Sequence, residues 1–486
     1  MKVLFVAAEL APIVKVGGLG DVIEALPKAL EKEGVEVSIV IPRYTFIEKD
    51  KLKLVAKDIP VPLARGVEKV SLYKGLAPRS PIPVFFVDNP TYLSTGPAPY
   101  FDQTAFVGAR EEIERFVFFS KAVEVLLKLE YLKADIVHAH DWHTGALVSL
   151  ISNGKSQILK NKLPVTNYRL PKTIFTIHNL GNQGKWRAVD VDALLGKTVD
   201  AELFTHFDDA YNFIAEGILH ADWITTVSKT YAQEILTKQY GNGMENVLTK
   251  RKKRLTGILN GIDYEFFNPE TDQKIFENFS PKNVEFKRKN KETLGQALRV
   301  PMGDAPLFAM VSRLTEQKGI DLVIKALTMF AGKHDARFVF LGTGAKEYED
   351  ALLEFQDEYP DRVAVRITFD ETLAHRMYAA SDFFLMPSRF EPCGLGQMIA
   401  MRYGSLPIVR ATGGLKDSVR DMKTGFVFEK AIDLSLDKAM RQAFHIYKES
   451  PKKFSNMRQA AMTENFDFKK SAIEYKELYQ KVLREK

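Results

Sequence analysis

The sequence predicts an α/β protein of two doubly wound domains, each a mostly parallel sheet covered by helices. Three observations lead there. The chain has 486 residues, more than one core usually supports. Short apolar runs alternate with longer amphipathic ones along its whole length, the pattern of repeated βαβ units. Distinctive polar residues fall just after the carboxyl ends of those apolar runs, where open α/β sheets bind ligands.

In the first half, strands are expected at Val3–Ala8, Val35–Ile41, Val84–Val87, Asp135–Ala139, Thr173–Ile177 and Trp223–Val227. Near-continuous apolar runs of this kind suit a parallel sheet buried on both faces. Val22, Leu26, Ala29 and Leu30 form one helical stripe, and Val117, Val123, Leu126 and Leu127 another. Pro27 falls inside the first stripe, where a missing N–H should kink or split the helix. In the second half, strands are expected at Phe308–Val311, Arg337–Leu341, Val363–Arg366, Phe383–Met386, Leu406–Val409 and Gly425–Phe428. The Asn260-Gly261 turn signal and the weakly patterned stretch from Pro269 to Pro301 place the junction near residue 258. The expected domains are therefore 1–257 and 258–465. Residues 466–486 carry an amphipathic helix, Ser471–Leu483, that packs back across the junction.

Composition is that of a globular protein, with 45% hydrophobic and 27% charged residues and no low-complexity tract. A net charge of +6 from 68 basic and 62 acidic residues does not call for a polyanion. The local cluster Lys250–Arg254 has no interleaved aromatic residue, so it is expected to be a solvated loop and not a nucleic-acid site. A single cysteine, Cys393, excludes a disulfide framework and fits a reducing, cytoplasmic setting. No apolar run is long enough to span a membrane.

The stretch Ser388–Gly396 sits between a strand and a helical pattern, and places Glu391 just ahead of Gly394 and Gly396. Glycines admit close backbone approach, and the following helix start offers N–H groups to an anion. A turn glutamate can also simply cap the helix behind it. Arg313 and Lys318, five apart after a strand, suit a diphosphate, the first as a planar fork and the second as a point charge; they can equally be surface cations. Gly17-Gly18 can cradle a phosphate or mark an ordinary turn, and it lacks the GxGxxG pattern of nicotinamide enzymes. His138, His140 and His143 with Asp141 can ligate a metal, though such sites need three or four converging ligands. Asp141 and His178, both at strand ends, can hold sugar hydroxyls. A double-cation turn, glycine-rich turns and Glu391 together describe a nucleotide-diphosphate leaving group with no metal needed.

Lys15–Leu19, His138–His143, His178–Leu180, Asn260–Asp263, Ser312–Gly319, Ser388–Leu395 and Thr412–Leu415 resemble, in order, the signature motifs of bacterial glycogen synthases and plant starch synthases. That resemblance implies the GT-B fold, with two Rossmann-like domains facing a cleft, the first on the acceptor side and the second on the donor side. It implies a retaining, metal-independent transfer of glucose from a nucleotide-diphosphate glucose, ADP-glucose by analogy and UDP-glucose as the alternative, to the 4-hydroxyl end of an α-1,4-glucan. It assigns Arg313 and Lys318 to the donor diphosphate, Glu391 to the donor sugar, and the N–H groups of Cys393, Gly394 and Leu395 to sugar and phosphate. Lys15, Gly17 and Gly18 reach the donor; Asp141, His178 and Asn179 face the reacting sugar or acceptor. Asn260 and the Thr412-Gly413-Gly414 turn line the same site, and Phe369 stands where a tyrosine often stacks on the nucleobase. No cofactor and no nucleic-acid or membrane partner is implied, and the oligomeric state stays open. Departures exist: Gly396 replaces a common threonine, Gly20 an alanine and Asn182 a tyrosine, and the segment near Pro97–Asp102 matches poorly. The rival readings are another GT-B transferase, such as a sucrose- or trehalose-forming enzyme, against which the Lys15–Leu19 motif argues, and a non-catalytic nucleotide-sugar or glucan-binding protein.

Overall fold

The computed structural model describes residues 1–94, 110–159, 170–195, 206–207 and 210–485. The segment near Pro97–Asp102 lies outside the described residues. The chain forms two units, Met1–Ile258 with Phe468–Lys486, and Leu259–Asp467.

In the first unit a nine-stranded sheet runs in the order Leu255–Gly257, Trp223–Thr226, Lys172–Ile177, Ile136–His140, Lys2–Val6, Glu36–Pro42, Pro83–Asp88, Gly66–Leu76, Lys53–Leu63. The first seven strands are parallel neighbours. The last two add as an antiparallel pair, which the sequence reading missed. Pro60 and Pro62 hid the outermost of them, since proline cannot donate to a ladder; both are tolerated because this strand is the sheet edge. Chain order reverses between Lys2–Val6 and Ile136–His140, so the loops after these two strands flank the switch point.

The helix Gly18–Lys32 buries Val22, Leu26, Ala29 and Leu30 as its stripe requires. It is not split at Pro27. The proline costs the one rung its N–H would have made, and its ring is buried. This helix shares a core with the helix Phe468–Arg484, which contributes Tyr475, Leu478, Tyr479 and Val482. The basic cluster is partly structural. Arg251 donates to the Ala221 carbonyl, and Arg254 pairs with Glu485 and lies over the Trp223 ring, leaving Lys252 and Lys253 in solvent.

The second unit holds a six-stranded, wholly parallel sheet ordered Val363–Arg366, Arg337–Leu341, Leu307–Val311, Phe383–Met386, Leu406–Arg410, Phe426–Phe428. Its order reverses between Leu307–Val311 and Phe383–Met386. The loops leaving those two strands carry Arg313 and Lys318 on one side and Glu391 on the other. Among the described residues no helix is long and apolar enough to cross a membrane.

Candidate functional site

In the second unit, Glu391 is buried at 6% exposure, and its Oε2 accepts from Lys318 Nζ at 2.6 Å and from Ser388 Oγ at 2.8 Å. The turn that carries it is stitched on both sides. Arg389 N donates to Gln317 O at 2.8 Å, and its guanidinium meets Asp321 at 2.5 Å. Arg410 Nε donates to Ser388 O at 2.8 Å. Ser388 and Arg389 lie within the stretch that the sequence singles out; what no spacing records is the contacts that they and Arg410 make. Arg313, by contrast, is exposed, and among the described residues no carboxylate pairs with it.

Glycine is demanded at Gly413 and Gly414 by packing. A Cβ at Gly413, whose φ is +43°, would stand 1.9 Å from Glu391 O, and one at Gly414 would stand 2.1 Å from Cys393 O. Gly414 N donates to Glu391 O at 3.1 Å, so that amide is spent on holding the catalytic-site candidate and not on a ligand. Thr412 is fully buried behind them. At Gly396, a Cβ would come within 3.2 Å of Met386 Sδ and of Phe384 Cε1, so here those side chains occupy the room a threonine would need. The helix it begins, Gly396–Arg402, has only 7 residues, so its dipole is a small source of positive potential at this turn.

Asn260 is buried, and among the described residues its Oδ1 has no hydrogen-bond partner, an acceptor fit to receive a hydroxyl. Its backbone N–H bonds the Cys393 thiol, whose pKa burial pushes up to about 12, so the group is an inert thiol. Phe369 is 82% exposed in the turn between Val363–Arg366 and Glu371–Ala380. A large apolar ring left in solvent at a strand's carboxyl end is free to stack on a flat ligand.

In the first unit, Asp141 directly follows Ile136–His140 with φ +55° and ψ −178°. That region is nearly reserved for glycine and costs about 1–3 kcal/mol, a strain typical of functional positions. Its Oδ1 accepts from His178 N at 2.7 Å and Asn179 N at 3.5 Å. Burial nonetheless pushes its pKa up to about 7, with the charge of Glu9 adding to the rise. His178 and His140 face each other, Nε2 to Nδ1 at 3.0 Å. Burial lowers the His178 pKa to about 3 and that of His140 well below the ordinary value, so both rings are neutral near pH 7. His138 has both ring nitrogens committed, to Tyr479 at 2.7 Å and Thr176 at 2.6 Å. No group of three or more His, Cys, Asp or Glu among the described residues is placed to hold a metal ion. Asn179 turns its Oδ1 to Gly181 N at 3.0 Å.

Lys15 is exposed and paired with Asp21 at 2.7 Å. The Gly17 amide is already used: Glu9, buried at 5% exposure, accepts from Val16 N at 2.8 Å and Gly17 N at 3.1 Å. Sequence reading missed Glu9, which lies before the motif it supports. Among the described residues, none but its chain neighbours has an atom within 4 Å of where a Gly17 Cβ would stand, so this glycine preserves room. At Gly20 a Cβ would be crowded at 3.2 Å by Glu9 Oε2 and by Val14 O, which accounts for the missing alanine.

Residues 2–250 match the family model for the starch synthase catalytic domain, and residues 297–461 match that for glycosyl transferases group 1. A glycogen synthase from Pseudothermotoga lettingae is 39% identical over the full length of both chains. The structure is similar to the catalytic domain of starch synthase IV from Arabidopsis thaliana, solved with ADP and acarbose, at TM-score 0.86 and 33% identity over 99% of each chain. Sucrose-phosphate synthase from Thermosynechococcus elongatus shares the fold, at TM-score 0.59 and 16% identity over 99% of this chain and 98% of that one. The chain belongs to the glycogen and starch synthase family of GT-B glycosyltransferases.

Proposed function

We propose that the protein lengthens an α-1,4-glucan by retaining transfer of glucose from ADP-glucose, without a metal ion. One observation carries the site assignment: the buried Lys318–Glu391 pair at the switch point of the second sheet, with the exposed Arg313 in the same loop as Lys318. Arg313 and Lys318 neutralise the departing diphosphate, and Glu391 orients the donor sugar and faces positive charge developing at its C1. Phe369 stacks on the base, and Asn260 Oδ1 receives a sugar hydroxyl. In the first unit Lys15 and the Gly17-Gly18 turn serve the donor, while Asp141, His178 and Asn179 serve the reacting sugar or acceptor. The ADP held by the Arabidopsis enzyme and the glycogen synthase relatives support this donor and acceptor.

The acceptor 4-hydroxyl attacks C1 from the face the diphosphate leaves. The C1–O bond to phosphate breaks as the new C1–O bond forms, and the hydroxyl proton passes to the departing phosphate oxygen. Glu391 is then not a nucleophile. The test is radiolabelled transfer to glycogen in the presence of a chelator, with ADP-glucose and UDP-glucose in parallel, for wild type, Glu391→Ala and Lys318→Ala. Transfer from ADP-glucose that is lost in both variants is expected. A preference for UDP-glucose overturns the donor, and a covalent glucosyl adduct on Glu391 overturns the same-face route.

A further inference from the structure

We propose that Gln397 is a positioning residue that aims the Gly394 and Leu395 amides at the donor diphosphate. The inference rests on the donor reading above. Gln397 stands just behind the Glu391 turn with its side chain fully buried. A buried amide is costly unless hydrogen-bonded, and this one is spent on the turn. Its Nε2 reaches Cys393 O at 3.1 Å, Gly394 O at 2.9 Å and Ser418 Oγ at 3.1 Å. Ser418 Oγ in turn donates to Gly414 O at 2.6 Å, so one side chain ties both glycine turns together.

A trans peptide holds its carbonyl and the following N–H on opposite sides. Drawing the Cys393 and Gly394 carbonyls toward Gln397 therefore turns the Gly394 and Leu395 N–H groups away from it. Neither N–H has an acceptor among the described residues. Two successive amides facing one way form an anion-binding concavity, here in the turn whose Glu391 pairs with Lys318. Gly394 has φ +70°, and a Cβ there would stand 2.5 Å from Gln397 Oε1, so the glycine and the amide behind it are matched. Oε1 itself is buried and has no hydrogen-bond partner among the described residues. The side chain is thus held through its donor end alone, and that end points at the two carbonyls.

The test measures binding of ADP and of adenosine to the full chain by calorimetry, adenosine being read by competition. The variants are Gln397→Met, which keeps the volume and removes the donor, and Gln397→Asn, which stays polar but falls one methylene short. ADP is expected to bind roughly 10- to 100-fold more weakly, the worth of one or two charge-assisted hydrogen bonds. Adenosine affinity is expected to stay within about twofold, because the stacking ring lies elsewhere. Unchanged ADP affinity, or ADP and adenosine weakening in parallel as general loosening of the unit would give, overturns the inference alone. A wild-type protein that does not bind ADP overturns the donor reading and this inference with it.

Discussion

Replacing Lys318 by Met is expected to destabilise the protein through the carboxylate it leaves behind. The Glu391 side chain is 7% exposed and that of Lys318 16%, and their contact is 2.6 Å. Removing one partner of a buried pair costs about 3–5 kcal/mol, chiefly because the other charge stays buried and uncompensated. Ser388 still donates to the carboxylate at 2.8 Å, and the residual exposure of Lys318 softens the effect, so about 3 kcal/mol is expected. For a unit of this size each kcal/mol moves the melting temperature by about 2–4 °C, giving a drop of about 6–12 °C. The double variant Lys318→Met/Glu391→Gln has no orphaned charge and should recover to within about 1 kcal/mol of wild type, while remaining inactive in transfer. Calorimetric melts of the three proteins decide the matter. A Lys318→Met protein that melts with wild type, or a double variant no more stable than the single, refutes the reasoning.

Asp141 makes a pH prediction. Its folded pKa of about 7 lies above the ordinary aspartate value, so its protonated form favours folding. That contribution is complete below about pH 4 and is lost as pH rises through about 7. Asp141→Asn keeps the oxygen that accepts from His178 and Asn179, and should match wild type near pH 4 and exceed it at pH 8, by on the order of 4 kcal/mol at most. Denaturant titrations at the two pH values check this, and a pH-independent difference contradicts it. Phe369→Ala should weaken ADP binding roughly 5- to 150-fold through lost stacking, with an unchanged melting temperature because the ring is 82% exposed. An equal affinity in calorimetry would remove Phe369 from the site.

The parallel sheets were legible because buried parallel strands are written as apolar runs. Leu307–Val311, Arg337–Leu341 and Phe383–Met386 each begin and end within a residue of expectation. Lys53–Leu63 was not legible, because at a sheet edge two prolines cost nothing and an alternating strand resembles a loop. Within the site, Arg313, Lys318 and Glu391 carry side chains whose chemistry toward a charged ligand is evident from type alone. The residues that shape the turns do not announce themselves in that way. Glu9, Gln397 and Arg410 act by reaching backbone groups that tertiary folding brings to them, and neither spacing nor periodicity records such a contact. The Gly413-Gly414 pair is the intermediate case. Its glycines were visible, but the reason for them, an adjoining backbone at 1.9 and 2.1 Å, was not.

The helix Phe468–Arg484 belongs to the first unit although the whole second unit precedes it in the chain. Its Tyr479 hydroxyl is the partner of His138 Nδ1, and its Lys481 lies 4.1 Å from the centre of the Trp223 ring. During synthesis, then, the second unit emerges entire and can fold while the first waits, with His138 lacking its Tyr479 partner and the face of Gly18–Lys32 uncovered, until residues 468–484 arrive. A nascent chain halted before that helix should present a finished second unit and a first unit still open to proteases and chaperones.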